Sequence, residues 1–351
     1  MSKCQVIYDG SIELDPTYHG WPTLCRTQEG ELLAVCSGKR ERHVCPYGRV
    51  LLYRSSDEGR TWSGPQQLSH GPLDDRDAGI CQLPDGSLVV NYFTSLYAFC
   101  LNVETMPESW REITRSITLD TINKEHGFWM MHSTDNGKSW SPKYLIPLNT
   151  CHGATLMNDG SLLMAGRELT SSAANIREGS RSGDRMLIAK SGDAGKNWEI
   201  LSEIPMPPGH ISQRVHEPHA VQLEDGTILV HTRDHNVSPV QTWQTSSRDG
   251  GKSWSEPVLL HTGFPTHLLS LGGSKALATY GWRNEPYGIR ARFTEDAGQN
   301  WQEEIILYDK GINHDLGYPS TVRMADGSFF TLWYENTGRI AVLKYCRWQS
   351  L

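Results

Sequence analysis

The amino-acid sequence predicts an all-β fold, a six-bladed β-propeller with Asp-containing turns, and three observations predict it. The pattern Ser/Thr-x-Asp-x-Gly-x-x-Trp occurs five times: SSDEGRTW at 55–62, STDNGKSW at 133–140, SGDAGKNW at 191–198, SRDGGKSW at 247–254 and TEDAGQNW at 294–301. A second marker interleaves with it. An apolar run, an acidic residue with Gly (or a Gly pair) and another apolar run recur around Gly30, Gly86, Gly160, Gly226, Gly272 and Gly327. The composition, with 33 Gly, 18 Pro and 9% aromatic residues, suits many short strands joined by turns. Six of one marker and five of the other give six four-stranded units, the arithmetic of a propeller.

Each unit reads in the same order. The Gly marker, as in GICQLPDGSLVVNY or AVQLEDGTILVHT, is a hairpin with strand periodicity on both sides. The Asp motif is a second hairpin: Asp bonds turn amides, Gly takes a conformation closed to other residues, and Trp packs back onto the sheet. Asp57, Asp135, Asp193, Asp249 and Asp296 are thereby read as structural, not catalytic. The last unit ends in GRIAVLKYCRW without an Asp turn, and the N-terminal QVIYDG is expected to pair into it and close the ring. All 351 residues are read as a single propeller domain. Uneven spacing locates the extra material. Gly86 and Asp135 lie 49 positions apart, against 23 between Gly226 and Asp249. The excess holds a helical insertion at about 104–125, with Pro107 and Glu108 suited to a first turn. It is expected to lid the site or to form a dimer contact. A Ser- and Arg-rich loop at 169–185 is placed near the rim.

Net charge is −7, and no block of basic residues appears, which argues against nucleic-acid and anionic-membrane partners. No run approaches the roughly 18 apolar residues of a membrane span, and MSKCQVIYDG has no apolar signal core. The eight cysteines lack paired short spacings, so free thiols in a reducing, cytoplasmic-type compartment are expected, with no zinc site.

In a propeller the innermost strands converge on the axis, so their first residues line one end of the central channel. These read HGWPT, DDRDAG, NTCHG, VHEPH and LGYPS, about ten positions before the Gly markers. Arg, Asp, His, Glu and Tyr stand where a core would want apolar residues, and converging polar groups mark a site. Glu217 between His216 and His219 is not a helical HExxH, so no metal is expected.

With these residues in place, the chain resembles the sialidase superfamily along its whole length. That family has a Glu opening a blade-4 strand, a Gly turn nine residues on and an Arg sixteen residues on; EPHAVQLEDGTILVHTR supplies Glu217, Gly226 and Arg233. It also opens its last blade with a Tyr nine residues before the Gly turn, matched by Tyr318 and Gly327. The resemblance implies exo-hydrolysis of α-ketosidically linked sialic acid, or a related carboxylated sugar, without a cofactor. It makes Tyr318 the nucleophile, Glu217 its base, and Arg233 and Arg283 clamps for the substrate carboxylate. Glu335 resembles the carboxylate that orients a clamp arginine.

Two departures stand out. The family's first clamp arginine belongs to an Arg-Ile-Pro signature where this chain has Gly20-Trp21-Pro22. Its acid/base Asp would fall near Val44, in a loop without Asp. Arg76, ten residues before Gly86, is the expected replacement clamp; Asp77 or His43 is the expected acid/base, and His152 a further substrate-binding residue at the rim. Arg40 and Arg42 are read as solvated or rim residues. A polysaccharide lyase or uronate-directed hydrolase on the same fold, and a non-catalytic glycan-binding propeller, are the alternatives. The expected partner is an acidic glycan, and homo-oligomerisation is left open.

Overall fold

The computed structural model describes residues 4–100, 105–168, 185–211 and 214–351. The loop expected at 169–185 lies, apart from Arg185, outside the described residues. Six antiparallel sheets follow one another along the chain. Blade 1 comprises Tyr18–Arg26, Leu32–Arg40, Arg49–Ser55 and Ser63–Gln67, and blade 2 comprises Asp74–Gln82, Leu88–Ser95, Phe128–Ser133 and Tyr144–Leu145. Blade 3 has a split inner edge, Leu148–Asn149 and Thr155–Leu156, beside Leu162–Glu168, Met186–Ser191 and Glu199–Glu203. Blade 4 starts with Val215–Gln222, blade 5 with Thr266–Gly272 and blade 6 with Leu316–Arg323. In blade 6, Cys4–Ile12 pairs antiparallel with Ala341–Ser350, so the N-terminal strand closes the ring as expected.

The core lies between blades. One cluster joins Val35, Val50 and Leu52 of blade 1 to Ala78, Val90 and Met131 of blade 2, and equivalent clusters fill the other junctions. The Asp turns seal these junctions from outside. In the first, Asp57 accepts from the Thr61 amide at 2.8 Å and the Thr61 hydroxyl at 2.6 Å. Trp62 Nε1 donates to the Gly59 carbonyl at 3.2 Å, and its ring lies 6.2 Å from Phe330 of blade 6. The other four turns repeat the Asp bonds. Hydrogen bonds to the ionised form hold these exposed carboxylates low, Asp57 at about 2.

The insertion forms two short helices, Glu108–Ser116 (α1) and Leu119–Glu125 (α2). Buried Trp110 of α1 packs with Cys45 and Met106, donates to Glu41 at 3.0 Å and carries the Arg42 guanidinium 4.4 Å from its ring. The insertion therefore braces the blade-1 loop that carries His43. Arg42 is exposed, as expected, with its guanidinium over Trp110, whereas Arg40, expected as a solvated or rim residue, is buried in an ion pair with Asp74.

Candidate functional site

A repeated backbone device builds the site. In blades 1, 2, 4 and 6 the inner strand carries one residue more than its partner at the same place: between Gly20 and Thr23, Arg76 and Gly79, His216 and His219, and Gly317 and Ser320. A β-bulge of this kind re-aims a side chain. The bulged residues are Trp21, Asp77, Glu217 and Tyr318, with φ of 54°, 50°, 52° and 52°. Non-glycine residues rarely occupy this left-handed region, and doing so costs about 1–2 kcal/mol each. Pro follows three of the four, and needs no ladder amide there.

Glu217 and Tyr318 meet at the axis. The Tyr318 hydroxyl donates to Glu217 Oε1, and Arg233, cross-strand from His216, donates to Glu217 Oε2 at 2.7 Å and to the Tyr318 oxygen at 3.4 Å. Burial alone would raise the Glu217 pKa; the Arg233 charge and these bonds overcome it and hold the carboxyl at about 2. Burial and the Glu217 charge push the Tyr318 phenol well above its ordinary value. The resting state is thus a protonated phenol on an ionised carboxylate.

Arg283 extends the cationic side. Its Nε donates to the Leu316 carbonyl at 2.9 Å and its Nη2 to the Tyr334 hydroxyl at 3.2 Å. The guanidiniums of Arg233 and Arg283 share one ring, Phe264, at 4.3 and 5.3 Å from its centroid, so the two cations sit side by side. Glu335, expected to orient one of them, is buried elsewhere, bonded to Tyr308 at 3.2 Å and paired with Lys344 at 3.2 Å. The residue that does organise this end is Asp315, which the sequence reading passed over. It accepts from Tyr334 at 2.9 Å, Asn336 at 2.9 Å, Tyr18 and His43 Nδ1. Asp74, which holds Arg40, stands at the same offset of twelve residues before its turn glycine, a signal that would have found both.

On the opposite side, Asp77 is buried beside Arg76 and near Glu217. Burial raises its pKa to about 7, with Arg76 opposing and the Glu217 charge adding. The Arg76 guanidinium lies 3.9 Å from the centroid of the Trp21 ring, which fills the floor against Tyr318, Tyr334 and His43. His43 is held by Asp315 and Tyr18, and burial lowers its pKa, so its ring is neutral at pH 7. His152 is not at the rim. It is 2% exposed, packed against Tyr318 on one side and His219 and His267 on the other, on the axis below the site. Among the described residues no three His, Cys, Asp or Glu side chains are placed to hold a metal ion. Cys4, Cys25, Cys36, Cys45, Cys81, Cys151 and Cys346 are free thiols.

The BNR repeat-like domain matches residues 94–331, more than half of the chain. The chain belongs to the BNR repeat-like domain family. With its six blades and Asp turns it falls in the sialidase superfamily. A sialidase of Bacteroides fragilis (strain YCH46) is 24% identical over 349 residues, covering 90% of this chain and 59% of that protein. The chain thus spans about three fifths of that relative. A sialidase of Paraclostridium sordellii is 22% identical over 347 residues, covering 93% of this chain and 81% of that one. Among solved structures, a Dyadobacter fermentans protein of unknown function superposes with a TM-score of 0.78 at 20% identity, covering 99% of both chains. That likeness speaks for the propeller alone.

Proposed function

We propose that this BNR repeat-like protein is an exo-glycosidase of the sialidase type, cleaving an α-ketosidically linked sialic acid or a related carboxylated sugar. The observation that carries the reading is the hydrogen-bonded group of Tyr318, Glu217 and Arg233 on two left-handed bulges. A phenol against an ionised carboxylate is an activated nucleophile. It also suits a substrate carboxylate better than a second carboxylate nucleophile would. Arg233 and Arg283 receive that carboxylate through the guanidinium N–H groups not already bonded to Glu217, Tyr318, Leu316 and Tyr334. The Tyr318 oxygen attacks the anomeric carbon while its proton passes to Glu217 Oε1. Asp77, protonated to a useful degree near neutrality, gives its proton to the departing glycosidic oxygen. Water then cleaves the tyrosyl adduct, with Asp77 taking the water proton and Tyr318 recovering its own from Glu217. The neutral ring of His43 makes it the poorer acid, so the role falls to Asp77.

The test is release from a fluorogenic α-sialoside, with an unsaturated sialic-acid analogue as inhibitor. Wild-type protein is expected to release fluorophore, the analogue to block it, and Tyr318→Phe and Glu217→Gln each to lower kcat by at least about 100-fold. No release from folded wild-type protein, with new ultraviolet absorbance on uronate polysaccharides, would instead make it a lyase.

A further inference from the structure

Arg76 has no role in that scheme, yet it is an arginine without a partner. Among the described residues nothing bonds or ion-pairs with its guanidinium, and its Nε is buried without a hydrogen bond. Its near neighbours are the Trp21 ring, 3.9 Å away at its centroid, and Asp77. Every other arginine of the site is bonded: Arg233 to Glu217 and Tyr318, Arg283 to Leu316 and Tyr334, Arg40 to Asp74. Leaving a partly buried guanidinium unpaired is costly, and such a group is a ready receptor for an oxyanion.

Arg76 lines a pocket of about 280 Å³ that opens beside Glu217, on the side of blades 2 to 4, away from Phe264 and the paired Arg233 and Arg283. Its walls include Phe93, Phe128 and Pro218, and its polar lining includes Asn149 and Arg167. Arg167 adds positive charge that is felt inside, since with burial it helps depress His216 to about 4. Glu217 is already paired with Arg233, and Asp77 titrates only near pH 7. His216 and His126 are both kept neutral at that pH by burial. The result is a small, largely apolar pocket beside Glu217, with the unpaired Arg76 guanidinium in its lining.

From this we infer that the pocket is a second anion subsite, with Arg76 as the receptor for a further oxyanion, a carboxylate or a sulfate ester, borne by the substrate besides the carboxylate at Arg233 and Arg283. This rests on the glycosidase reading above for its placement around the reacting carbon. It makes the preferred substrate a doubly charged sugar acid and Arg76 a specificity residue. Trp21 supports that role by holding the guanidinium carbon 3.9 Å from its ring centroid.

The experiment uses three α-sialosides with one common fluorogenic aglycone: unsubstituted, O-sulfated at the terminal hydroxyl, and N-succinylated so that the acyl arm ends in a carboxylate. The full chain is expected to show a kcat/KM at least about tenfold higher for one of the charged pair, and the arm that gains tells sulfate from carboxylate. In Arg76→Gln the ratio of charged to unsubstituted substrate should collapse towards one. The ratio is the readout, so a general loss of turnover does not imitate it. Calorimetric titration of the three free sugars onto the same two proteins reads the subsite even if no substrate is cleaved. An unsubstituted sialoside preferred over both charged ones, or a ratio unchanged in Arg76→Gln, overturns the inference while leaving the hydrolysis reading intact. Absent turnover with preserved, Arg76-dependent preference for the charged sugars would overturn the hydrolysis reading and keep the subsite.

Discussion

Asp77 and Glu217 occupy the same bulge on two blades, yet their acidities differ by several pH units. Both are desolvated, which favours the protonated form. Glu217 has a guanidinium on one oxygen and a phenol on the other, so charge and hydrogen bonding win. Asp77 has one oxygen buried with no hydrogen bond, and Arg76 sits over Trp21 without bonding the carboxyl, so desolvation wins. Two carboxyls driven apart in this way divide into an acid and a base. The sign of the pH dependence follows. Asp77 must carry its proton to act as the acid, so turnover falls as pH rises through about 7. Asp77→Asn should remove that alkaline limb. It should lower kcat/KM by about 10²–10⁴-fold for a natural, poor leaving group, and far less for an activated aryl aglycone. A pH–rate profile of both proteins on both substrates checks this; an alkaline limb that survives in Asp77→Asn would assign the acid elsewhere.

At the level of the element, the Asp turn shows how local sequence and packing agree. Its glycine must take a positive φ, +88° at Gly59, and a Cβ there would meet the Phe330 ring at 2.2 Å. Gly59→Ala should therefore cost about 2–4 kcal/mol, from left-handed strain plus overpacking at the junction of blades 1 and 6. Chemical denaturation would show it as a lower midpoint at unchanged slope, with the activity of the folded fraction intact; a cost below about 1 kcal/mol would mean the ring yields freely.

The same repeats explain what the sequence disclosed. Turn chemistry is local, so the blades, the N-terminal closure and the helical insertion could be read directly. The site was legible where a residue keeps its offset from a turn glycine, as Glu217, Tyr318, Asp77 and Arg76 do, because the offset fixes the bulge. It was not legible where the outcome depends on which neighbouring blade a side chain meets. Glu335 faces Lys344 and Tyr308 and not an arginine, Arg40 turns inward to Asp74, and His152 drops below the ring where an exposed rim residue was expected.

Across the whole molecule, the buried histidines tie stability to pH. His152, His219 and His267, each at most 8% exposed, surround the axis of blades 3 to 5 with rings 4.7–5.4 Å apart. His152 has no hydrogen bond to either nitrogen, and one nitrogen of each of the others is also unbonded. Burial lowers all three pKa values, His152 to about 4, and a proton on one would raise the cost of a proton on the next. An unfolded histidine titrates near 6.5. Between that pH and about 4 the unfolded chain binds protons that the folded chain refuses, so stability falls as pH falls, at up to about 1.4 kcal/mol per pH unit for each such histidine. Two buried carboxyls act in the other sense, Asp77 at about 7 and Asp75 at about 6, since folding raises their affinity for protons. Three axial histidines against two carboxyls leave a net loss, and His231, likewise buried and lowered to about 4, adds to it. Denaturant unfolding at pH 7.5, 6.5 and 5.5 should therefore show a midpoint that drops steadily below 6.5. His267→Gln, which removes one titrating ring, should make that drop shallower. A midpoint flat across this range in the unaltered protein would mean that the axial histidines are protonated within the fold.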